Sequence, residues 1–199
     1  MTNEAGVGRT TARAAVWAFL STGGSKLITL VALMILARLL APTEFGLLAF
    51  ALVYITYAET IGDLGTGHAL IYWPDRREDA VQVTFWVNVA MGIFWCVTTI
   101  LIAPAVADFF NTPNGTGIVR VLGFSFLIKY LGNTHNALAA KDLRFRARTV
   151  PELGLAAVKA VISIALAYMG FGAWSLAWGH LAGLACWTVF LWIMVPWRP

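Results

Sequence analysis

The chain has 199 residues, of which 59% are hydrophobic and only 12% charged, and its mean hydropathy is +0.75. Water-soluble domains carry about 25% charged residues and disordered chains are poor in apolar ones, so both classes are excluded. The formal charge of +4 does not point to nucleic acid, because the positive residues gather in short connections between apolar runs.

Crossing a bilayer takes about 20 mostly apolar residues per helix. Six such runs follow one another, at 14–37, 45–73, 80–110, 118–140, 150–169 and 173–196. The expected fold is therefore all-α, a single six-helix transmembrane bundle over 1–199 with no room for a soluble domain. The first run is too long for the apolar core of a cleavable signal peptide, about 7–15 residues. The second and third exceed the thickness of the hydrocarbon and must tilt or break. Turn chemistry separates the runs at Ala41-Pro42-Thr43, Pro74-Asp75, Thr112-Pro113-Asn114-Gly115 and Gly170-Phe171-Gly172.

Of the 14 Lys and Arg residues, nine fall before the first span, after the second and fourth, or after the sixth. Only Arg38 and Arg120 lie on the opposite side. The positive-inside rule then places both termini in the cytoplasm. Trp17, Trp73, Trp174 and Trp197 lie near expected span ends, where interfacial tryptophans collect.

The remaining cations, Lys26, Lys129 and Lys159, lie within spans, each costing roughly 2.5–3.5 kcal/mol at a helix centre on the insertion scale. Glu59 and Asp63 share a helix face just before Gly62-Asp63-Leu64-Gly65-Thr66-Gly67-His68, a weakened stretch of membrane helix. This is either a titratable ion site or a place of close packing. In the fourth span Lys129, Asn133 and Asn136 form a polar stripe with His135 beside it, readable as a site or as hydrogen-bonding glue between helices. Lys159 has Ser163 one turn on, and Gly179-His180-Leu181-Ala182-Gly183 is a G-x-x-x-G pattern that favours close helix packing.

Three lysines, an acid pair and several amides in a greasy bundle suit an anionic head group crossing the membrane. Lys26, Lys129, Asn133 and Lys159 are the candidate substrate contacts, and Glu59 and Asp63 the candidate ion-coupling pair. The sequence has no nucleophile elbow, Walker A loop or H-E-x-x-H, so no catalytic residue is assigned. Cys96 and Cys186 make no ligand spacing with His68, His135 or His180, and neither metal nor cofactor is expected.

The stretch Ala37-Arg38-Leu39-Leu40-Ala41-Pro42-Thr43-Glu44-Phe45-Gly46-Leu47, followed by Asp63-Leu64-Gly65-Thr66-Gly67-His68-Ala69-Leu70-Ile71, resembles the opening of bacterial polysaccharide and O-antigen exporters of the Wzx type. These belong to the multidrug/oligosaccharidyl-lipid/polysaccharide flippase superfamily. Leu143-Arg144-Phe145-Arg146-Ala147-Arg148 and Gly170-Phe171-Gly172-Ala173-Trp174-Ser175-Leu176 are similar to later parts of the same lobe. The resemblance implies alternating-access flipping of a lipid-linked oligosaccharide on a polyprenyl diphosphate carrier, driven by a proton or cation gradient across the bacterial inner membrane. It also implies two six-helix lobes, of which this chain supplies the N-terminal one. The partner would be a C-terminal lobe, a second polypeptide or a second copy. The alternative is a non-transporting assembly partner of glycan synthesis, or a truncated remnant of a longer transporter.

Overall fold

A computed structural model describes residues 23–62, 78–112, 115–141, 145–197 and 199. Asp63, His68 and the rest of the glycine-rich stretch, the start of the first span, Trp17 and Trp73 lie outside these residues. Among the described residues there are six helices and no strand. They are α1 over 23–39, α2 Pro42–Gly62, α3 Glu78–Phe109, α4 Thr116–Lys141, α5 Phe145–Tyr168 and α6 Ala173–Met194. Four of them, α2, α3, α5 and α6, are long and apolar enough to cross a membrane. The 32 residues of α3 measure about 48 Å at 1.5 Å per residue, so it tilts in a hydrocarbon layer of about 30 Å.

Span four is a helix but falls outside that set of four, and its place in the fold explains why. It packs against α2, α3, α5 and α6, with Val119, Leu122 and Phe126 fully buried. Enclosure by protein tolerates the fully buried Ser125, Thr134 and His135, while Arg120 is exposed and Lys129 and Asn133 are partly so. The lipid-exposed type is α3, which presents Val83, Trp86, Ile93, Phe94 and Leu101 outward.

The helix α4 runs antiparallel to α3: Gly123 lies against Thr99, and the amide of Asn88 donates to the Thr134 hydroxyl at 3.1 Å. It runs parallel to α6, where Thr188 Oγ1 donates to the Ile128 carbonyl at 2.8 Å and Trp192 Nε1 to that of Leu131 at 3.1 Å. Because lipid is as apolar as leucine, such packing and hydrogen bonds, rather than escape from water, hold membrane helices together.

The α1–α2 turn is built by Ala41-Pro42-Thr43-Glu44. Pro42 opens α2, where a missing N–H costs nothing, and the Glu44 carboxylate accepts the Ala41 N–H at 2.8 Å. At the α5–α6 turn Gly170 and Gly172 have φ of +81° and +54°, and Ser175 Oγ donates to the Gly172 carbonyl at 2.6 Å. A side chain on Gly172 would run into the Glu44 carboxylate. Two of the stretches that carry the resemblance, 37–47 and 170–176, thus meet at one end of the bundle. At the other end His135 stacks on Trp192 with centroids 4.7 Å apart, and its Nε2 lies 3.2 Å from the Trp197 carbonyl.

Candidate functional site

Glu59 on α2 and Lys129 on α4 form an ion pair with Nζ–Oε2 at 2.7 Å. The two helices run parallel, so positions well along each lie side by side. One turn beyond Glu59, Gly62 admits the Trp95 ring of α3, and a Cβ there would stand 2.8 Å from the Tyr130 hydroxyl. Glu59, Lys129, Tyr130 and Asn133 line a cavity of about 70 Å³. Lys129 and Asn133 enter it together because residues four apart share a helix face. With side chains 39% and 25% exposed, the pair opens to the outside of the bundle. Hydrocarbon is a poor neighbour for charges, so this opening requires water or further protein.

The three intramembrane lysines do not share one pocket. Lys26 lies exposed in a groove between α1 and α5, with Ser25, Thr29 and Leu30 on one wall and Glu152, Leu155 and Ala156 on the other. The groove volume is about 510 Å³. Lys159 is half-buried on α5 against α6, where a Cβ on Gly183 would stand 2.9 Å from the Lys159 Cβ and 2.8 Å from the Leu155 carbonyl. One turn away a Cβ on Gly179 would strike Ser163 Oγ and stand 3.0 Å from the Lys159 carbonyl. The G-x-x-x-G glycines therefore sit where two backbones approach.

His180, beside Gly179, lies within electrostatic range of both Lys159 and Lys129. Its Nδ1 and Ser163 Oγ are buried without hydrogen-bond partners among the described residues, unlike the bonded helix glue that a mid-span histidine suggests. His135 does contact the chain leaving α6, through the Trp197 carbonyl. Sequence spacing did not reveal the Glu59–Lys129 pairing, since it joins helices 70 positions apart in register set only by packing. Nor did it reveal Asn88–Thr134.

Fold and site together define an all-α polytopic membrane protein with a charged opening on one face. The polysaccharide biosynthesis protein family model matches residues 35–199, and the chain belongs to that family. It is 29% identical over 168 residues to the succinoglycan biosynthesis transport protein ExoT of Rhizobium meliloti (strain 1021), covering 84% of this chain and 34% of that protein. It is similar to the lipopolysaccharide biosynthesis protein WzxC of Escherichia coli (strain K12), 29% over 67% of this chain and 26% of the relative. The teichuronic acid biosynthesis protein TuaB of Bacillus subtilis (strain 168) shares 28% over 66% of this chain and 27% of its own length. The matched region spans a quarter to a third of these relatives. No solved structure matches.

Proposed function

We propose that the chain is the N-terminal six-helix lobe of an exporter that carries a lipid-linked oligosaccharide across the bacterial inner membrane, with both termini in the cytoplasm. The observation that carries this reading is the ion pair opening outward at membrane depth. Exposed or half-exposed polar side chains recur on α1 (Lys26, Thr29), α2 (Thr56, Glu59, Thr60) and α4 (Lys129, Asn133). On α3 the exposed side chains between Val83 and Ile102 are apolar. The apolar band on α3 suits lipid, and the polar cluster around Glu59 and Lys129 suits a wet cavity completed by a second lobe, a second polypeptide or a second copy.

In that cavity Lys129 and Lys26 hold the diphosphate or acidic sugar as point charges, while Asn133 offers an amide to sugar hydroxyls. Lys159 and its half-buried neighbourhood add positive potential from behind, and Glu59, with Asp63, takes up and releases the coupling proton or cation. The chain acts as a transporter and not an enzyme. The names of the relatives, one of them a succinoglycan biosynthesis transport protein, support this reading.

The test is glycan export in cells whose own copy of the gene is replaced by Lys129→Met or Lys26→Ala. The expected result is at least about a tenfold fall in surface polymer with normal membrane insertion, the scale of one lost charge-assisted contact. Normal export from both well-inserted variants contradicts the reading.

A further inference from the structure

Lys129 Nζ is already engaged by Glu59 at 2.7 Å, in a cavity of only about 70 Å³. An incoming anion therefore cannot take Lys129 in the presence of an ionised Glu59 without placing two negative charges around one ammonium. A proton on Glu59 removes that competition. By reciprocity, an anion seated on Lys129 favours the proton on Glu59 by the same factor.

We propose that an anionic head group and a proton enter this site together: the anion replaces Glu59 as the partner of Lys129, and the displaced carboxylate takes a proton from water. The only covalent change is the proton transfer: an O–H forms on Glu59 as hydronium or a buffer acid loses the same proton and keeps the electron pair. This rests on the reading of the cavity as a head-group site and adds the sign of its coupling. Exchange of a proton for the anion at this pair is disfavoured, because the proton helps the anion to stay.

The groups facing the pair set the controls. From α4 come Lys129, Tyr130 and Asn133, and from α3 the indole of Trp95 beside Gly62, which does not titrate. From α6 His180 lies within electrostatic range of Lys129, with Lys159 of α5 behind it. Titration of His180 would also make anion binding depend on pH, so the experiment must separate the two.

The probe is P1,P2-diethyl diphosphate, a doubly charged diester without a titratable proton near neutrality. It is titrated calorimetrically into the native protein in detergent, in two buffers of different ionisation enthalpy, at pH 8, 7 and 6. The expected result is net proton uptake by the wild type and an affinity that rises about fivefold or more from pH 8 to pH 6, within the usual span of coupling between two sites. Glu59→Gln is expected to bind at least as tightly as the wild type at pH 8, with no proton uptake and an affinity constant within about twofold.

Wild-type binding that is lost in Lys129→Met but carries no proton uptake overturns the inference and leaves the head-group reading standing. The same holds if Glu59→Gln retains the full pH dependence, which assigns it to His180. Equal binding by Lys129→Met and wild type, or no binding at all, overturns both.

Discussion

Glu59 and Lys129 are half-open to the outside, and an ion pair so placed contributes about 0–1 kcal/mol to folding. The pair is thus a poor structural device, which supports the binding role proposed for it. Glu59→Gln and Lys129→Met are each expected to change unfolding free energy in detergent by no more than about 1 kcal/mol. A loss above about 3 kcal/mol, the cost of orphaning one partner of a buried bridge, would instead make the pair structural. At this scale the sequence was half readable. The four-residue spacing of Lys129 and Asn133 places them on one face, and the structure brings both to one cavity. That Glu59 completes the cavity, and that Lys26 and Lys159 lie elsewhere, depends on the rotation of each helix, which is set by its neighbours.

Among the elements, two of the motifs that carry the family resemblance, at 41–44 and 170–172, are architectural. Ala41-Pro42-Thr43-Glu44 starts α2, Gly170-Phe171-Gly172 ends α5, and Glu44 sits against Gly172. Gly172 has φ +54° and ψ −133°, close to the glycine-only region, and no space for a Cβ. Gly170 also has positive φ but open space around it. Gly172→Ala is therefore expected to cost about 2–3 kcal/mol and Gly170→Ala only about 1, measured by unfolding in detergent. Equal costs would mean that the Glu44 contact adds nothing. Turn residues and apolar runs are local signals, which is why the helices lie within a few residues of the expected spans wherever they are described. The depth of α4 inside the bundle is not local. Part of its lowered hydropathy comes from Ser125, Thr134 and His135, which are buried in the bundle, and part from Lys129 and Asn133, which reach the cavity, and a sequence window sees only the lowered value.

Taken whole, the molecule has a band of exposed apolar side chains on α3, while α1, α2 and α4 carry a cluster of polar ones (Lys26, Thr29, Thr56, Glu59, Thr60, Lys129, Asn133) set among exposed apolar side chains such as Leu27, Met34, Val53 and Ile61. Charged side chains are costly against lipid, so the proposed function puts the polar cluster at an inner cavity. Composition alone indicates a membrane bundle, and basic loops indicate an orientation, but only the folded arrangement sets the polar cluster apart from the apolar band. The most direct test is the reactivity of single cysteines in the native protein in its own membrane, with Cys96 and Cys186 replaced by alanine. Asn133→Cys is expected to react with a membrane-impermeant, water-soluble thiol reagent, while Ile93→Cys on the outer face of α3 stays unlabelled. An unreactive Asn133→Cys beside a labelled Ile93→Cys would contradict the account.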